Sequence, residues 1–231
     1  MLLATTVNFA TSSFAPLAVG FFGLGTGYLI YGPEELLGFP SRSPKVDLST
    51  GIWGVWMPGL MQLIAGTYLF VGLAWFGSFH DPILYMAALA FTAYGVHWFA
   101  IGMIRTFRSD ARPSAGMCVA YLLISILGIV VFFKGGDNPV GGLFIGLSCI
   151  YAADFFASLL PTPPAPTPGV GAGPATAGGT AGVGGPAPRR HPLGTLGERS
   201  LGFFHIGTGL FLMYLTWATA LNFSNGFHLP L

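Results

Sequence analysis

The residues with the most chemical potential are few. Asp154, His97 and His205 can titrate or pair with a charge, while Gln62, Thr92 and Tyr94 can offer hydrogen bonds. Each lies in an apolar stretch, with flanks such as Ala-Tyr-Gly-Val-His-Trp around His97 and Ile-Tyr-Ala-Ala-Asp-Phe-Phe around Asp154. A polar group among such neighbours is costly unless it is paired or lines a path for a solute. Histidine changes charge near neutral pH, and a carboxyl can hold or release a proton. Proton-sensitive passage of a small solute is therefore the chemistry to look for. The competing reading is that the histidines and tyrosines simply bridge helices. Asp154 is the one acidic residue expected well inside an apolar stretch.

The apolar setting extends along the whole chain. Of 231 residues only 9 are Lys or Arg and 8 are Asp or Glu, a charged share of 7%. Ordinary soluble domains carry about 25%. The hydrophobic share is 53%, aromatics make up 15%, and there are 21 Phe. So little charge cannot cover a soluble surface, and so many aromatics exclude a disordered chain. A net charge of +1 gives no reason to expect nucleic acid as a partner, and 2 Cys make no disulfide framework. The class is an all-α integral membrane protein, in contact with membrane lipid and a small-molecule solute.

A span needs about 20 mostly apolar residues. Six stretches qualify: residues 14–31, 51–76, 82–104, 115–133, 140–160 and 201–221. They are too long and too uniformly apolar for β-barrel strands, which alternate with a period of two. No basic n-region precedes Phe14, so no cleavable signal peptide is expected. Between the fifth and sixth spans, residues 161–192 hold 9 Pro and 8 Gly among 32. This composition reads as a linker outside the bilayer. The expected organisation is helices one to five over 1–160, linker over 161–199, and the sixth helix with its tail over 200–231.

Basic residues collect in cytoplasmic loops. Loops after spans one, three and five hold Arg42, Lys45, Arg105, Arg108, Arg112, Arg189, Arg190 and Arg199, whereas the opposite side holds Lys134 alone. Both termini are therefore expected outside. Small residues recur at helical spacing, as in Gly23/Gly27 and Gly142/Gly146, and such spacing lets helices approach closely in lipid. Pro58 is expected to kink the second span. There is no P-loop, CxxC or HExxH pattern, so neither an enzyme nor a cofactor or metal is expected.

Two motifs carry a resemblance. The second span reads Gln62-Leu63-Ile64-Ala65-Gly66, and the third Phe91-Thr92-Ala93-Tyr94-Gly95-Val96-His97-Trp98. The last span has Tyr214-Leu215 and then Asn222, and the first retains Ala15-Pro16-Leu17. The chain resembles the acetate uptake transporter family, the acetate/succinate permeases of bacteria and their fungal relatives. The resemblance covers nearly everything but the linker. It implies a homohexamer of six-helix protomers, each with its own path for small monocarboxylates such as acetate, with succinate as a candidate, moved with a proton. By the same resemblance, Phe22, Tyr94 and a residue among Leu147 to Cys149 narrow that path. Gln62, Thr92, His97, Asp154 and His205 complete the candidate path. The asparagine that opens the family's first motif has no counterpart here, and Thr219 stands where the family's last span carries an acidic residue. Proton-gated urea and amide channels are the alternative family, and a non-transporting scaffold subunit is the alternative class. The expected location is a bacterial plasma membrane.

Overall fold

The computed structural model describes residues 14–160, 192–225 and 228–230. These form six long helical rods: α1 (Phe14–Leu37), α2 (Pro44–Trp75), α3 (Ile83–Phe107), α4 (Ser114–Gly135), α5 (Asn138–Leu159) and α6 (Pro192–Asn225). Five of them, α2 to α6, are long and apolar enough to cross a membrane. The chain is a multi-pass, all-helical membrane protein. Most of the expected linker lies outside the described residues. The final helix begins at Pro192, ahead of the start expected near residue 200.

Local signals account for the ends. Ser43 caps α2 by accepting the Val46 N–H at 3.3 Å, and Pro44 opens the helix where no N–H is needed. Asp137 caps α5 by accepting the Val140 N–H at 3.0 Å. α1 runs past Pro33 and closes at Gly38, whose φ of 69° suits a residue without a Cβ. α3 closes at Arg108, which takes a left-handed φ of 54°. At the far end, Asn222 grips the backbone of Leu229 through two hydrogen bonds of 2.8 Å.

The rods form a closed ring in which each packs on its chain neighbours and α6 returns to α1. Glycines set the closest approaches. A Cβ on Gly102 of α3 would lie 2.6 Å from the Gly51 carbonyl oxygen of α2. A Cβ on Gly32 of α1 would lie 2.7 Å from Ile206 of α6. This is helix association through small residues, as expected in lipid. Pro58 lies within the continuous run of α2. It sits in a π-helical turn, Val55–Leu60, which absorbs the missing backbone bond, and its ring lies against Gly27. The seam between α3 and α4 is the thinnest in the ring. It is bridged by polar and aromatic contacts: Tyr94 Oη to Ser125 Oγ at 2.9 Å and the Tyr121 hydroxyl donating to the Ala93 carbonyl at 3.0 Å.

Candidate functional site

α1, α3, α5 and α6 converge on a cavity of about 640 Å³. Its mouth lies at the end of the bundle that carries the α1–α2 loop, the α3–α4 loop and the start of α6. Arg42, Asp47, Arg108 and Glu198 surround the mouth, and Tyr28, His97, Trp98 and Tyr151 line the deep end. This is a vestibule entering the bundle from one side.

Its wall is organised by buried charge. Glu34 on α1 accepts from Arg105 Nη1 at 2.5 Å and from Arg42 Nε at 2.6 Å. Arg42 also reaches Glu198 of α6 at 3.4 Å. Arg105 Nη2 lies 3.9 Å from Glu35, and its guanidinium sits 4.5 Å above the Tyr31 ring. Glu35 Oε2 meets His205 Nδ1 at 2.6 Å. Arg108 pairs with Asp47 at 3.7 Å. The three arginines on the vestibule wall are thus all tied to carboxylates. Asp154, by contrast, accepts from Ser158 at 2.9 Å and has no cation within ion-pair distance among the described residues.

The deep end abuts a plug of rings. Tyr94, Tyr121 and Tyr151 pack with centroids 5.3 to 5.7 Å apart, and His97 stacks on Tyr121 at 4.5 Å. His97 Nδ1 lies 3.3 Å from the Tyr151 hydroxyl, while its Nε2 is buried without a partner among the described residues. On the mouth side of this plug, His205 stacks on Tyr28 at 4.6 Å.

Three expected path residues, His97, Asp154 and His205, line the vestibule together. Tyr94 belongs to the plug behind it. Gln62 is fully buried on α2, and neither polar atom of its side chain has a partner among the described residues. The unpartnered Thr92 hydroxyl lies against Gly66. Leu147 is buried and Cys149 is a half-buried free thiol; neither lines the vestibule. Phe22 turns outward at 41% exposure. Its neighbour Phe21 takes the interior position, with its ring 5.6 Å from Phe91.

Asp154 is not the only acidic residue inside the bundle. Glu34 and Glu35 are buried as well, because α1 continues through Gly32-Pro33 instead of ending at Tyr31. Arg105, expected in a loop, is on α3 with its side chain only 12% exposed. The missed signal was reciprocal: two acids one helical turn past an apolar run, with an arginine and a histidine on other helices available to pair with them.

The class defined by this architecture is a helical membrane bundle with a one-sided polar vestibule. Among solved structures it is similar to the bacterial acetate channel SatP, with a TM-score of 0.63 and 14% sequence identity, over 91% of this chain and 94% of that one. At this identity the likeness is one of fold. No protein-family model matches the sequence, and comparison with curated proteins finds no match.

Proposed function

We propose that the protein passes small monocarboxylates such as acetate across a bacterial plasma membrane, with a proton accompanying each solute. In this reading the chain is a six-span protomer of a homohexamer with both termini outside and the vestibule open to the cytoplasm. The orientation rests on the described basic residues, which gather at the vestibule end while Lys134 alone marks the other. The fold shared with SatP supports a solute path, and succinate is a further candidate substrate.

The observation that carries the proton link is the pairing of Arg42, Arg105 and Arg108 with carboxylates. Among the described residues the vestibule wall offers an anion no uncommitted arginine or lysine, and beyond it lie rings, hydroxyls and histidine. A carboxylate entering that low-dielectric region alone would lose its hydration with little in return. As the neutral acid it needs only hydrogen bonds and an apolar wall.

The same observation favours a second reading, a channel for a small neutral solute such as urea or an amide. Uptake into proteoliposomes separates the two. Labelled acetate should enter faster than into empty liposomes, and faster still at acidic pH. Acetate entry equal to that of empty liposomes, beside rapid urea entry, would establish the second reading in place of the first.

A further inference from the structure

Glu35 was in no expected site, yet it makes the shortest contact to either buried histidine, 2.6 Å from Oε2 to His205 Nδ1. Both residues line the vestibule and are buried. The neighbouring cations make their close contacts elsewhere. Arg105 spends its close contact on Glu34 at 2.5 Å and stands 3.9 Å from Glu35. Arg42 is tied to Glu34 and Glu198, nearer the mouth. From α5, Asp154 faces the same cavity, and from α3 so does His97. Tyr28 stacks on the His205 ring and fixes its plane. Of the two charged residues of α2, Lys45 does not line the cavity and Asp47 lies at its mouth, where Arg108 holds it.

We propose that the Glu35–His205 pair is the proton-loading site of the vestibule, which protonates the carboxylate before it enters the ring plug. The inference rests on the carboxylate reading above and deepens it. A carboxylate bonded to one ring nitrogen fixes the tautomer and leaves the other nitrogen as the exchangeable position. Glu35 holds the Nδ1 proton. The Nε2–H bond of the cationic ring breaks, its proton forms an O–H bond on the solute carboxylate, and the electron pair stays on Nε2. The neutral acid moves on, and water entering through the mouth returns a proton to Nε2. No oxidant or other reactant is required.

The test is the pH profile of acetate uptake into proteoliposomes by wild type, His205→Asn and Glu35→Gln. Asparagine keeps a donor near the Nδ1 position but cannot take up and pass on a proton. At pH 7, H205N should lose about tenfold of the protein-dependent flux, a modest share of what proton transfer by a side chain contributes. At pH 5, where more solute arrives already protonated, it should lie within about twofold of wild type. E35Q should move the profile the same way, and it carries the test if H205N does not assemble. A wild-type profile in both variants would overturn the pair's role, as would equal losses at pH 5 and pH 7, which mark a packing defect. Absence of acetate flux in wild-type protein would instead overturn the carboxylate reading and this site with it.

Discussion

Arg105 of α3 and Glu34 of α1 meet at 2.5 Å beneath the rim of the vestibule, with side chains 12% and 1% exposed. The pair joins two helices that pack little against each other directly, and Arg42 braces it from the loop. Removing one member of a buried pair leaves the other charge uncompensated.

Arg105→Ala should therefore destabilise the folded protein by about 3–5 kcal/mol. Thermal unfolding in detergent reads the change. Arg105→Lys should recover part of it, because lysine restores the charge without the two-pronged reach to Glu34 and Glu35. An unchanged midpoint for R105A would show the pair to be dispensable.

Two glycines separate packing from backbone preference. Gly102→Ala places a methyl 2.6 Å from the Gly51 oxygen and should cost about 1–3 kcal/mol, by forcing α2 and α3 apart. Gly116→Ala on α4 meets nothing within 4 Å and should be neutral or stabilise by about 0.5 kcal/mol. The same unfolding measurement compares them. Equal effects would mean that the α2–α3 approach is not tight.

Interior and exterior phenylalanines give a test of the path. Phe21→Ala should change acetate flux, because Phe21 lies inside against Phe91, whereas Phe22→Ala should leave single-protomer flux unchanged. Tyr94→Ala should open the ring plug, letting larger carboxylates through while the assembly elutes as wild type. A flux change in F22A larger than in F21A would place the path on the opposite face of α1.

Asp110 serves as the pH control. The Arg112 side chain, bound to it at 2.5 Å, lowers its carboxyl to about 2, and both residues are exposed. A depressed carboxyl contributes above its ordinary titration range, and the contribution fades only as pH falls toward the lowered value. Asp110→Asn should thus leave the uptake profile between pH 5 and 8 unchanged. A profile altered by D110N would move proton sensitivity from the vestibule to this loop.

Sequence reading located the helices well wherever apolar runs were long, because 20 apolar residues have few alternatives to a buried helix. It failed at the polar ends. Residues 44–50 include Lys45, Asp47 and Thr50 and looked like loop, yet Ser43 and Pro44 supply a helix start and α2 begins there. Gly32-Pro33-Glu34-Glu35 looked like a stop, yet pairing with Arg105 and His205 lets α1 carry both acids inward. Asp154 and the two histidines were legible as chemistry because each stands alone in an apolar run. Which of them face one cavity was not, since that depends on how four helices are turned about their axes. Phe21 and Phe22 differ for the same reason: a rotation of about 100° puts Phe21 inside and Phe22 outside this protomer.

The π-turn at Val55–Leu60 has a consequence for how this chain can vary in length. Gly51, Val55, Gly59 and Leu63 all face α3, at intervals of four residues on both sides of that turn. An ordinary α-helix would swing this series steadily off the contact face, and the wider turn delays the drift. Deleting Pro58 would let this turn close into ordinary α-helix and leave everything downstream, Gln62 and Gly66 included, near its present face, whereas deleting a residue elsewhere in α2 would turn it by about 100°. A one-residue deletion in the gene should thus be borne at this short interval, as it is in the loops, but not along the rest of α2.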